Sequence, residues 1–282
     1  MKRIWILLIF AGWITITGSL FLSSLSGTVA EQFGLSRNPQ LLIQGLVMSG
    51  LVVPIILYLY RHVDRMAGMK PKKSVYLWKG AYHFITGFLL AIILASLGFI
   101  IAISQGWIVI EQWYHPDHWF VALLINVLIA FLYEALPEEL ALRGMLYDVL
   151  RYRFSAWLAI LFQTLLFLCV PLVATQLQVL VGLAPGNIMN IPYIILILCF
   201  GICLQLVRLW TRSLWAAIGF HLAYLEITRF VVMQHNGPSI IAYNETVPGL
   251  GEMFISFSMI VIGGIIVSLL ILGAKRVIRK RP

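Results

Sequence analysis

Residues Glu134-Ala135-Leu136-Pro137-Glu138-Glu139-Leu140-Ala141-Leu142-Arg143-Gly144 place three carboxylates and one guanidinium in a stretch that is otherwise apolar. Ionisable groups at membrane depth are expensive unless paired or wet, and they mark function by default. Glu134 and Glu138 are four apart and share a helical face if the helix runs through Pro137. Glu139 and Arg143 are also four apart, with the acid on the N-terminal side, the favourable order for a helical ion pair. One carboxylate held ionised by Arg143 beside another in a different environment separates their proton affinities, which is how a general base is set apart from a structural acid. Pro137 fits the first turn of a new helix or a kink that admits water. The plainer reading is a helix end with its charges in the headgroup layer.

A second set lies in Ser213-Leu214-Trp215-Ala216-Ala217-Ile218-Gly219-Phe220-His221-Leu222-Ala223-Tyr224-Leu225-Glu226-Ile227-Thr228-Arg229. His221 falls in mid-span, where an imidazole needs a partner, and Glu226 and Arg229 are spaced to pair with each other. His115-Pro116-Asp117-His118 offers metal-ligand types, but the proline breaks the helical spacing of a two-histidine site, and a solvated turn is the blander reading.

The elements that must position these groups are membrane helices. The chain has 282 residues, 61% hydrophobic and 11% charged, with mean hydropathy +0.95. Eight apolar runs, at 4–25, 41–60, 80–104, 119–136, 156–175, 190–209, 213–233 and 253–274, approach the ~20 residues needed to cross a bilayer core. The expected fold is all-α, a polytopic integral membrane protein of about eight transmembrane helices. Strands are not expected, because the runs are continuous rather than alternating. The expected organisation is one structural domain: N-terminal helices over 1–118, a core over 119–233, and a last helix with a basic tail over 234–282.

The net charge of +9 reports orientation rather than nucleic-acid binding. With a cytoplasmic N-terminus and eight spans, 18 of the 20 Lys and Arg residues fall on the inner side, leaving only Arg37 and Arg229. The basic stretches 61–79 and 275–281 are expected to meet anionic lipid headgroups. Met1-Lys2-Arg3 before an apolar run resembles a signal peptide, but the run is long for one and is read as an uncleaved first helix. Cys169, Cys199 and Cys203 sit inside apolar spans and are read as packing residues. The uncharged segment 176–189 suits a surface-lying or re-entrant piece.

Glu138-Glu139-x-x-x-Arg143-Gly144, followed by the Ser213-to-His221 element, resembles the CPBP family: CAAX prenyl proteases of the Rce1 type, with bacteriocin-processing, self-immunity and lysostaphin-resistance-like relatives. The resemblance covers about residues 119–233. It implies an eight-helix CPBP bundle with a cytoplasmic polar cavity and intramembrane endopeptidase activity on hydrophobic or membrane-anchored peptides. By that resemblance Glu138 is the general base, Glu139 pairs with Arg143, and His221 helps bind an oxyanion or a zinc ion. Two positions depart from the family pattern. Pro171 stands where a Phe-x-x-x-His motif, here beginning at Phe167, has its histidine, and Leu225 stands where a His-x-x-x-Asn motif has its asparagine. His83 is a candidate spatial substitute. The alternative function is therefore a catalytically impaired relative that holds a membrane-protein partner such as a cell-envelope enzyme or sensor. A proton-relay transporter using Glu134 and His221 would be expected to show repeat symmetry, which the sequence lacks. Membrane lipids and a peptide or membrane-protein partner are the expected partners, and the expected location is the cell membrane with both termini cytoplasmic.

Overall fold

The computed structural model describes residues 4–66, 80–184, 190–233 and 238–280. Eight helices follow in order: α1 (Ile4–Gln32), α2 (Arg37–Met66), α3 (Gly80–Ser104), α4 (Pro116–Arg151), α5 (Ala156–Leu180), α6 (Ile191–Thr211), α7 (214–232) and α8 (251–280). All but α7 are long and apolar enough to cross a membrane. α7 is the exception because it carries His221, Glu226 and Arg229. The basic stretch 67–79 and residues 185–189 lie outside the described residues. Residues 176–180 continue α5 rather than leaving it.

The expectation of no strands is corrected in one place. β1 (Ile108–Trp113) and β2 (Ile241–Glu245) pair antiparallel with an irregularity between Ile110 and Gln112. Both strands lie in connections between helices, where water satisfies the open edges that lipid would not. Glu245 accepts from the N–H groups of Leu250 (3.1 Å) and Gly251 (2.8 Å), so the strand's last residue caps the start of α8.

The chain divides into two compact units. The first comprises Met1–Trp78 with Leu128–Ile202, and the second Lys79–Val127 with Cys203–Pro282. In the first unit, Trp13 Nε1 of α1 donates to the Leu166 carbonyl of α5 at 3.0 Å, and Gln178 Nε2 of α5 donates to Ser24 Oγ at 2.8 Å. Ser23 Oγ reaches the Gln44 carbonyl of α2 at 2.7 Å. These polar contacts join helices whose apolar surfaces gain little by leaving lipid for one another.

The second unit is organised by a close crossing of α3 and α7. A Cβ added at Gly87 would meet the Ala216 carbonyl oxygen at 1.9 Å, and one at Gly219 would meet the Phe84 carbonyl oxygen at 2.2 Å. Trp215 covers Gly80, where a Cβ would come within 2.2 Å of the indole. Much of the Trp215-to-Gly219 signature is therefore the small-residue surface that lets two membrane helices touch backbone to backbone. At the far end Lys275 Nζ donates to the Trp210 carbonyl at 2.8 Å, tying the basic end of α8 to the C-terminal turn of α6.

Candidate functional site

The acidic cluster lies on α4, and the helix is not wound uniformly there. Phe131–Ala135 and Glu139–Leu146 are π-helical turns separated by a short α segment, Leu136–Glu138, that contains Pro137. Pro137 stands in the first turn of that α segment, one of the two places the sequence allowed it, and the helical winding runs on through it. Proline lacks an N–H and crowds the preceding turn, so upstream carbonyls need other donors. The Leu136 N–H bonds back five residues to Phe131, and Ser49 Oγ of α2 donates to the Leu132 carbonyl. Gly45 brings α2 against the same turn, where a Cβ would lie 3.2 Å from Leu132 Cβ. Wide turns of this kind are concentrated at functional sites, because they re-aim side chains without breaking the helix.

The winding carries Glu139 and Arg143 inward. Both side chains are 0% exposed, and Arg143 Nη1 stands 3.2 Å from Glu139 Oε1, as the four-residue spacing predicted. Phe167 of α5 lies flat against the pair, its ring centre 4.0 Å from the guanidinium carbon. The first residue of the degenerate second motif thus serves as a lid on the cation, while Pro171, one turn further along, is half-buried inside α5. Glu134 and Glu138 are both half-buried, and both act electrostatically on the hydroxyls of Tyr133 and Tyr193. The two phenols beside these carboxylates were not singled out by the sequence. Their only signal was polarity within apolar spans, which tyrosine shares with many interfacial residues.

In the second unit His221 is 3% exposed on α7, within the turn that packs on α3. Glu226, 6% exposed, has a partner the sequence did not offer: Asn126 Nδ2 of α4 donates to both its carboxylate oxygens, at 2.8 and 2.9 Å. Leu225, at the place of the third-motif asparagine, is half-buried. Thr228 and Ser256 exchange a hydroxyl contact at 3.3 Å beyond it. His83 is half-buried on α3, its ring edge-on to Tyr82.

Zinc needs at least three protein donors held together. Among the described residues, no three His, Cys, Asp or Glu side chains are grouped in that way. In the His115–His118 turn, His115 Nδ1 meets Asp117 Oδ2 at 2.9 Å in the open, while His118 stacks on Tyr114. Among the described residues, the donor set therefore does not fit a zinc centre. The cysteines divide: Cys203 is buried beside Gly264 and Cys199 is half-buried, whereas Cys169 is exposed on α5. Cys169 lines an apolar surface crevice of about 320 Å³ with Phe154 and Phe162, which corrects its reading as a packing residue.

Long apolar helices with charged side chains turned inward define an integral membrane protein. Within it, residues 117–224 match the family model described as type II CAAX prenyl endopeptidase Rce1-like. The matched segment contains Glu138, Glu139, Arg143, Phe167, Pro171 and His221. No curated protein matches the chain. No solved structure matches it either.

Proposed function

We propose that this protein is a CPBP-type intramembrane endopeptidase acting on hydrophobic or membrane-anchored peptides, with Glu138 as general base. The observation that carries this reading is the division of labour between neighbouring carboxylates. Glu139 is fully buried and occupied by Arg143, whereas Glu138 is half-buried and adjacent to it. A base must keep access to water and a proton affinity apart from that of its neighbour. Glu138 takes a proton from water, and the resulting hydroxide forms a bond to the scissile carbonyl carbon. As the carbon–nitrogen bond breaks, Glu138 returns the proton to the departing amine. Arg143 and Glu139 keep the segment rigid, and the oxyanion role of His221 is what the family resemblance implies. In this reading the protein resides in the cell membrane with both termini cytoplasmic, as the distribution of Lys and Arg supports.

A second reading has its own support. Pro171 and Leu225 remove an imidazole and an amide from the family pattern, which favours a relative that holds a membrane-protein partner without cleaving it. The test compares new peptide termini in membranes expressing wild type or Glu138→Ala at equal levels. Termini made by wild type and lost in the variant establish hydrolysis and name the substrates. Identical termini, with a working family member as positive control, exclude it and turn the search to co-purifying partners.

A further inference from the structure

Two polar side chains of α5 take no part in the contacts described above. Gln163 is 0% exposed, and neither its Nε2 nor its Oε1 has a hydrogen-bond partner among the described residues. Its neighbour Thr164 is 2% exposed, and its hydroxyl is in the same condition. Within a membrane protein no solvent reaches such groups by default, so an unpartnered carboxamide is among the most expensive side chains to bury. Leucine would fill the same volume without that penalty, so packing does not account for glutamine here.

Their place on the helix is informative. Gln163 precedes Phe167 by four residues and Thr164 by three, so both lie on the face that brings the Phe167 ring to Arg143. Gly201 of α6 closes on that face, where an added Cβ would come within 3.1 Å of both Phe167 and Thr164. The carboxamide supplies donors and an acceptor, and the hydroxyl supplies one of each. Together they offer three polar atoms, about the number of partners a buried water takes. We propose that Gln163 and Thr164 form a water-holding site inside the first unit, one helical turn from Phe167, and that Gln163 positions the water that Glu138 activates. The water site stands on burial and geometry alone; the positioning role rests on the peptidase reading.

Radiolytic hydroxyl labelling of the full chain in lipid nanodiscs tests the water site, with Phe167 as reporter. Internal water labels its neighbours, so Phe167 should be oxidised despite being only 6% exposed. In Gln163→Leu/Thr164→Val that labelling should fall about fivefold, since all three polar atoms are gone. Thr164→Ser alone, which keeps the hydroxyl, should label like wild type. Equal labelling in wild type and the double variant, or an unlabelled Phe167 in wild type, overturns the water site. For positioning, Gln163→Leu should lower the Glu138-dependent termini about tenfold. Gln163→Glu, which adds an ionisable group, should shift the pH profile of their formation, an effect that a packing role would not produce. Wild-type termini in Gln163→Leu overturn positioning. A chain with no Glu138-dependent termini overturns the peptidase reading and positioning together, while labelling still decides the water site.

Discussion

Each unit buries a glutamate in its interior, and the two are neutralised by different means. Glu139 faces a guanidinium at 3.2 Å with an aromatic ring behind it, so a full positive charge answers its negative one. Glu226 faces the carboxamide of Asn126, a dipole whose nitrogen reaches both carboxylate oxygens. An ion pair holds its acid ionised, because protonating the acid would strand a buried cation. An amide imposes no such condition, since it can hydrogen-bond a carboxylate or a carboxylic acid. The first carboxylate is thus matched by a charge and the second by a dipole.

The comparison breaks most sharply at Arg143. Arg143→Met leaves Glu139 buried without its counter-charge and should cost about 3–5 kcal/mol, seen as a protein that fails to accumulate or melts early in detergent. Adding Glu139→Leu should recover most of that loss, which a purely catalytic pair would not predict. At the α3–α7 crossing, Gly87→Val drives a side chain into the Ala216 carbonyl and should cost roughly 3 kcal/mol, enough to lower the melting temperature by several degrees. The carboxamide partner should matter less: Asn126→Leu is expected to cost about 1–3 kcal/mol. Glu226→Gln should be nearly neutral in the same melting assay where Glu139→Gln is severe, and equal penalties for the two would refute the contrast. Phe167→Leu, which removes the ring over Arg143, should cost about 1–2 kcal/mol while leaving the chain folded.

The sequence made some of this legible and concealed the rest for physical reasons. The Glu139–Arg143 pair could be read because both partners lie on one helix turn, where spacing alone fixes proximity. Asn126 could not be assigned to Glu226, because the two are 100 residues apart and no local period relates them. The only hint was that each is a polar residue inside an apolar run. Span starts followed from hydropathy to within four residues, but α1, α2, α5 and α8 run five to seven residues past their expected ends, and α4, expected over 119–136, runs from Pro116 to Arg151. The charges of the acidic cluster ended the apolar signal there, while the helix itself continued. The strand pair was hidden for the opposite reason: it is short, lies between spans, and is held by a partner in a distant connection.

The π-helical winding of Glu139–Leu146 has a further consequence for how the chain tolerates length changes. A π turn is an α-helix that has taken in one surplus residue without interrupting its backbone bonds. Removing a single residue from this segment would let it relax to ordinary winding and leave the helix continuous. Everything beyond would then keep its facing, because the surplus residue is the one the wide turn absorbs, whereas a deletion from ordinary α-helix would turn the remainder by about 100°. Tyr60 donates to Asp148 at 3.2 Å beyond that point, so this contact with α2 should survive a one-residue deletion within the wide turns. Relatives wound as plain α-helix through this stretch would accordingly align with a one-residue gap between the paired glutamates and Tyr147.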